Sequence, residues 1–257
     1  AKRRKNLILT EREISGTKVL AHELFTSGIG YLRVMFRTDR VPSRDLPYVG
    51  LLKAVLGFVD TTKHTYSDLS DEINLNTGGI TLSVSSYADS REQGAFTGIF
   101  TASARVLCEK LDFGFSAIAE ILLDSILDDE KRLGEIVAET KSKSQMRLNQ
   151  AAHSAAVMRA SSYFSAESAF DDCTGGIGFY QFLEETAKHF EEKKGEVIAK
   201  LKETAARLFT KENMLISYTA AADDQAGLEA ALPLLKERLP QGDGTVYPFE
   251  WKKRELK

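Results

Sequence analysis

The sequence is poor in residues that cross-link small folds or build metal sites, with two cysteines and four histidines among 257 residues. Cys108 and Cys173 are too few for a disulfide framework, and they show no C-x-x-C zinc spacing. We therefore expect reduced cysteines in an intracellular protein. No run approaches the roughly 20 apolar residues that span a bilayer, and no signal-peptide pattern is present. These absences predict a cytoplasmic protein without a membrane partner.

Charge is nearly balanced, with 34 basic and 37 acidic residues and a formal net charge of -3. Basic clusters stand at residues 2–5 and 252–254, without the interleaved aromatic residues typical of nucleic-acid surfaces. We therefore expect no nucleic-acid partner and interpret both clusters as solvated linkers. Because the first residue is not methionine, we also expect the chain to be a piece of a longer protein.

The periodicity of apolar residues predicts an α+β fold, in which a mainly antiparallel sheet carries helices on one face. Period-2 alternation is clearest in residues 30–37, where Leu32, Val34 and Phe36 share one side. The predicted strands are residues 19–25, 30–37, 80–85, 95–106 and 213–220. The predicted helices are residues 47–59, 65–74, 129–159, 178–190, 195–209 and 223–238, with further helical periodicity from residue 109. Thr65 is the predicted N-cap of the second helix.

Patterns that carry chemistry are sparse. No histidine has a second histidine at i+4, and no G-x-S-x-G occurs, so helix-borne metal pairs and a serine elbow are absent. The glycine-rich segment 174–178 lacks the lysine of a phosphate-binding loop, and we interpret it as a flexible turn. Glu135 and Glu139, with Lys131 and Lys143 one turn away, are interpreted as a solvated helix face.

Four ordered motifs resemble the pitrilysin/insulinase family of zinc metallopeptidases, and within it the presequence-protease branch. They are LFTSGIGYLRVMF at residues 24–36, DLPYVGLL at 45–52, YSDL at 66–69 and NTGGI at 76–80. The resemblance covers residues 14–238 and is to the third of four similar domains, the start of the non-catalytic C-terminal half. It implies the two-layer repeat-unit fold that the mitochondrial processing peptidase domains share, and a hinged chamber around a peptide substrate.

The same resemblance implies that the active half of such a peptidase holds zinc through an H-x-x-E-H motif and a distal glutamate. Here that segment falls at residues 51–55, where Leu51, Ala54 and Val55 replace the two histidines and the glutamate. The distal glutamate falls near Glu139. The family's substrate-holding arginine and tyrosine belong to a later domain. We therefore predict no catalytic, cofactor-binding or metal-binding residue here, and we expect zinc in the parent's N-terminal half.

These expectations divide the chain into a linker (1–13), a non-catalytic peptidase-associated domain (14–238) and a linker toward a following domain (239–257). Its expected partners are peptide substrate and the neighbouring domains of a parent zinc peptidase. An apolar surface of several hundred Å² left by those neighbours would let the isolated domain form a homodimer. One alternative is a stand-alone inactive homologue that binds peptide or acts as a scaffold. Another is an unrelated cysteine- or serine-dependent enzyme, which requires Cys108 or Cys173 beside a histidine.

Overall fold

A six-stranded sheet organises the computed structural model, which describes residues 9–251. The strands are β1 (Leu9–Ile14), β2 (Thr17–Glu23), β3 (Ile29–Arg37), β4 (Thr77–Ala88), β5 (Phe96–Leu107) and β6 (Met214–Ala220). Their spatial order is β1-β2-β6-β3-β5-β4, and only the β2–β6 pair is parallel. The predicted α+β class with a mainly antiparallel sheet is therefore confirmed.

Ten α-helices accompany the sheet within residues 9–251. They are α1 (Leu46–Val55), α2 (Tyr66–Asn76), α3 (Leu111–Leu123), α4 (Glu130–Gln150), α5 (Ala152–Ser161), α6 (Ala166–Gly175), α7 (Ile177–Lys188), α8 (Phe190–Leu208), α9 (Gly227–Ala231) and α10 (Pro233–Lys236). Thr65 caps α2 as predicted, because its hydroxyl accepts the Asp68 N–H at 3.2 Å. Among the described residues, no helix combines the length and apolar character needed to cross a membrane.

The core lies between the helices and one face of the sheet. Leu32, Val34 and Phe36 of β3 are at most 1% exposed, as their alternation predicts. The rings of Phe36 and Phe100 meet Phe209, at the end of α8, with centroids 5.1 and 5.3 Å apart in edge-on geometry. These aromatic contacts join the neighbouring strands β3 and β5 to the helical layer.

Two long helices of the sequence prediction are wrong. The expected helix 129–159 breaks at Ala151, which has φ -121° and ψ 42°. The sequence gives no sign of this break, because the alanine-rich residues on both sides of Ala151 have high helix propensity. The break allows α5 to pack on α6, and that packing is a tertiary contact. The expected helix 223–238 is divided into a 3-10 turn, α9 and α10. Pro233 at the start of α10 has no backbone N–H, so one hydrogen bond of the helical series is missing there, although Leu232 before it keeps helical φ and ψ angles.

The predicted strands 19–25 and 30–37, which follow each other in sequence and correspond to β2 and β3, are not neighbours in the sheet. Strand β6 lies between them, parallel to β2 and antiparallel to β3. In addition, residues 9–13, expected to be linker, belong to β1. This strand pairs with β2 through the two-residue turn Ser15-Gly16, whose φ angles of 51° and 74° suit a tight hairpin.

The segment after residue 238, expected to be a linker without a partner in this chain, packs on the domain as far as residue 251. The ring of Phe249 lies 5.4 Å from that of Phe96 and 6.3 Å from that of Phe170. The Tyr247 N–H donates to Asp39 O at 2.7 Å, and the Trp251 indole N–H donates to Ser162 O at 3.1 Å. The basic clusters at residues 2–5 and 252–254 lie outside the described residues.

Candidate functional site

Helix α1 carries residues 51–55, the segment at which the resemblance predicts the metal motif of the active half to fall. Leu51, Leu52 and Val55 are fully buried in the core, and Ala54 lies between them in sequence. The side chains of Leu51, Ala54 and Val55 contain no oxygen, nitrogen or sulfur atom that could bind a metal. The residues present therefore do not fit the zinc that the family resemblance implies for its active half.

The four histidines lie on separate elements of the structure. His22 is in β2, His153 in α5 and His189 between α7 and α8, whereas His64 precedes α2. Across residues 9–251, no group of three His, Cys, Asp or Glu side chains is placed to hold a metal ion. The prediction that this domain has no metal-binding residue stays a prediction, but no arrangement of ligands speaks against it.

His64 takes part in a small network around a buried carboxylate. Glu120 of α3 is 6% exposed, and its Oε1 accepts the Thr61 hydroxyl at 2.6 Å. The same oxygen lies 2.8 Å from His64 Nδ1. The hydrogen bond and negative charge of Glu120 raise the pKa of His64 above its ordinary value. The network ties the loop before α2 to α3, so its role is structural.

The acidic pair on α4 is solvated, as predicted. Glu139 lies 2.6 Å from Lys143, and Glu135 lies 3.2 Å from Arg132, with both carboxylates more than half exposed. The hydrogen bond and charge of Lys143 lower the pKa of Glu139. The position of the family's distal glutamate is therefore occupied by a surface residue that pairs with a lysine.

Neither cysteine lies beside a histidine in the described structure. The Cys173 thiol contacts Phe170 O at 3.1 Å, and burial raises the pKa of Cys173 to about 12. Cys108 accepts a hydrogen bond from the Tyr218 hydroxyl at 3.6 Å, and burial also raises its pKa. A nucleophilic cysteine needs a thiolate and a nearby base, and these surroundings disfavour the thiolate. The contacts therefore do not support the cysteine-enzyme alternative.

The glycine-rich segment 174–178 forms the turn between α6 and α7. The carboxylate of Asp172, a residue of α6, reaches the start of α7, where its Oδ1 accepts the Gly178 N–H at 3.2 Å. Its other oxygen pairs with Arg159 at 2.5 Å, and the residue is only 4% exposed. A carboxylate of the chain itself therefore occupies the position that a phosphate would take. Sequence reasoning missed this pair, because Arg159 and Asp172 are thirteen positions apart and belong to different helices.

The sheet has a second face that points away from the helices. We call the outward side chains of β3, β4, β5 and β6 the open face. Its exposed members include Tyr31 and Arg33 of β3, Thr81 and Ser83 of β4, and Arg105 of β5. The register places Arg33 between Ser217 and Ser103, and Tyr31 between Thr219 and Arg105. This broad, hydroxyl-rich surface was not among the sites that sequence reasoning considered.

A groove with apolar walls adjoins the open face at the end of the sheet where β5 stops. Its apolar lining consists of Ile29, Tyr31, Leu75 and Leu107. Leu75 is 76% exposed and Leu107 is 47% exposed, and both line this groove. Large apolar side chains this exposed mark a contact surface when they cluster. The homodimer stays a prediction.

The fold and these surfaces define an α+β domain with one sheet face covered by helices and one open face. Residues 2–186 match the family model for the domain associated with peptidases of family M-16, subfamily C. The chain belongs to this peptidase-associated family, and the predicted resemblance is confirmed.

Individual relatives agree with this assignment. The chain is 30% identical over 246 residues to protein HypA of Clostridium perfringens, covering 95% of this chain and 25% of HypA. It is also 30% identical over 188 residues to the mitochondrial presequence protease of Yarrowia lipolytica, covering 73% of this chain and 19% of that protein. The chain thus spans a quarter or less of the length of these two relatives.

A solved structure shows the same fold. The crystal structure of a conserved protein from Enterococcus faecalis superimposes with a TM-score of 0.61 at 13% sequence identity. The match covers 93% of this chain and 54% of that protein. At this identity the likeness concerns the fold alone, and it supports the two-layer architecture described above.

Proposed function

We propose that this chain is a non-catalytic domain of a larger peptidase and forms part of the wall of a chamber that encloses peptide substrate. The observation that carries the proposal is that Leu51 and Val55, which the resemblance predicts to stand where the active half has metal-binding histidines, are fully buried core side chains. A segment of this kind stabilises the fold and has no group that activates water. Membership of a peptidase-associated family supports the link to proteolysis.

The open face is the surface that this proposal assigns to the chamber. One face of the sheet packs against helices and the other is uncovered. When another domain lies opposite the uncovered face, that face lines the space between the two domains. The apolar side of the adjoining groove, formed by Ile29, Leu75 and Leu107, is assigned to contacts with neighbouring domains of the parent chain. Zinc in the catalytic half of the parent, and a cytoplasmic location, are parts of the same proposal.

The test is site-specific crosslinking in the full-length parent, depleted of zinc so that bound peptide is not cut. A photo-crosslinking amino acid replaces Ser103 on the open face or, as the matched control, Ser142 on the exposed side of α4. The proposal predicts that labelled peptide attaches at position 103 and not at position 142. Equal labelling, or labelling at position 142 alone, would show that the open face does not border the chamber.

A further inference from the structure

The open face has an unusual distribution of charge. None of the four strands β3, β4, β5 and β6 contains an aspartate or glutamate, whereas they contain three arginines. Acidic residues slightly outnumber basic ones in the whole chain, so the net charge of these four strands is opposite in sign to the net charge of the chain. Acidic side chains occur on the sheet only in β1 and β2, at Glu11, Glu13 and Glu23.

Two of the arginines are adjacent on the surface. Arg33 pairs in register with Ser103, and Tyr31 pairs with Arg105, so Arg33 and Arg105 are diagonal neighbours on the same face. Such diagonal positions lie about 7 Å apart between Cβ atoms. Both side chains are exposed, and together with Tyr31, Thr81 and Ser103 they line one shallow groove of about 290 Å³. That volume suits a side chain of a bound peptide better than a larger cofactor.

The two guanidinium groups are available for a partner. Arg33 makes no ion pair or side-chain hydrogen bond with any residue in the described range 9–251. Arg105 donates to one backbone carbonyl, that of Gly78, at 2.9 Å. The third arginine, Arg37, is neutralised by Asp39 at 2.5 Å. Uncompensated positive charge is therefore concentrated at Arg33 and Arg105.

The nearest acidic side chains of the same sheet are not in position to neutralise these arginines. In the row that contains Arg33, the order across the sheet is Glu11, Leu20, Ser217, Arg33, Ser103. Glu11 is thus three strands away, and it already pairs with Lys18 at 2.9 Å. The charge of Arg33 and Arg105 therefore faces solvent, where an external carboxylate can reach it.

We propose that Arg33 and Arg105 form a binding site for carboxylate side chains of an extended peptide that lies across the open face. A guanidinium binds a carboxylate through two parallel N–H donors, and the flanking hydroxyls of Thr81 and Ser103 add further donors. The absence of acidic residues from these four strands removes repulsion against an acidic peptide and offers no partner to a basic one. This inference rests on the proposed function, since it names the class of peptide that the chamber wall prefers.

The test compares two fluorescent peptides of equal length and apolar content, one rich in glutamate and one rich in lysine, by anisotropy with the purified chain. We expect the acidic peptide to bind more tightly and to lose affinity as salt is raised, because exposed charges are screened. The variant R33A/R105A should weaken acidic-peptide binding by about tenfold, since each arginine contributes charged hydrogen bonds. The control R44A/R91A removes the same total charge outside the strands and should change affinity less than about twofold.

A charge-preserving variant separates binding from folding. R33K/R105K keeps both positive charges but not the paired N–H donors, so we expect its affinity for the acidic peptide to lie between those of wild type and R33A/R105A. If both peptides bind equally, or if R44A/R91A weakens binding as much as R33A/R105A, the preference for carboxylates is wrong. If the acidic and basic peptides bind equally but peptide still crosslinks at position 103, only the preference for carboxylates is wrong and the chamber-wall proposal stands. Loss of that crosslinking would overturn the chamber-wall proposal itself.

Discussion

The buried carboxylate of Glu120 shows how single side chains connect distant parts of this domain. It receives the Thr61 hydroxyl at 2.6 Å and lies 2.8 Å from His64 Nδ1. A buried charge without partners is costly, so these contacts hold the loop before α2 against α3. When His64 is protonated, the contact becomes a charge-assisted hydrogen bond and is correspondingly stronger.

Replacing His64 with alanine should reduce stability in a way that depends on pH. Because Glu120 raises the pKa of His64 in the folded state, the contribution of protonated His64 is fully present below its unfolded value of about 6.5. This contribution is lost as pH rises through the raised folded value. Urea unfolding should therefore show a larger difference between wild type and H64A at about pH 5.5 than at about pH 9.

The variant E120Q tests whether the carboxylate of Glu120 causes the raised pKa of His64. Without the carboxylate, the pKa of His64, followed by its ring proton shifts in NMR, should fall toward the ordinary value of histidine. A stability difference between wild type and H64A that is constant across this pH range would contradict the assigned role of Glu120.

Residue-level predictions from sequence succeeded where the signal was local. The apolar replacements at Leu51, Ala54 and Val55 are visible in the sequence itself, and the structure places Leu51 and Val55 in the core. The partners of Glu120 and Asp172 were not predictable, because His64 and Glu120 are 56 positions apart and no pattern links them. Only the packing of α3 against the loop brings these two side chains together.

At the scale of elements, close packing of α1 on the turn between α6 and α7 depends on Gly50. A Cβ atom at this position would lie 2.5 Å from Thr174 O and 2.8 Å from a ring carbon of Phe179. Both distances are shorter than real carbon contacts, so α1 could not stay at its present distance from the turn. Glycine at position 50 thus allows the backbones of α1 and the turn to approach each other.

The substitution G50A should therefore lower the free energy of unfolding by about 1–3 kcal/mol, even though alanine favours helix. The matched control is G195A in α8, where no atom lies within 4 Å of the added Cβ. It should raise stability by about 0.5–1 kcal/mol through helix propensity alone. Urea unfolding measures both variants, and stabilisation by G50A would show that α1 and the turn are not closely packed.

The helices also show the limit of propensity as a predictor. The cap of α2 at Thr65 follows from a local side-chain-to-backbone bond, and it was predicted. The break at Ala151 was not, because alanine and its neighbours favour helix on both sides. That break depends on α5 packing against α6, a contact between segments that sequence periodicity does not relate.

At the scale of the whole molecule, the sheet has one covered face and one open face. Alternation within β3, β4 and β5 was sufficient to predict the α+β class and the buried side of the sheet. The insertion of β6 between β2 and β3 was not predictable, since it joins strands almost two hundred residues apart. For the same reason, the packing of Phe249 against Phe96 and Phe170 was missed.

The central claim is that this domain supports proteolysis without performing it. The direct measurement is a zinc titration of the purified chain by calorimetry, followed by a peptide hydrolysis assay with zinc present. Because Leu51, Ala54 and Val55 offer no ligand atoms, we predict no stoichiometric tight zinc site and no hydrolysis. One equivalent of tightly bound zinc, together with peptide cleavage that a chelator abolishes, would contradict the account.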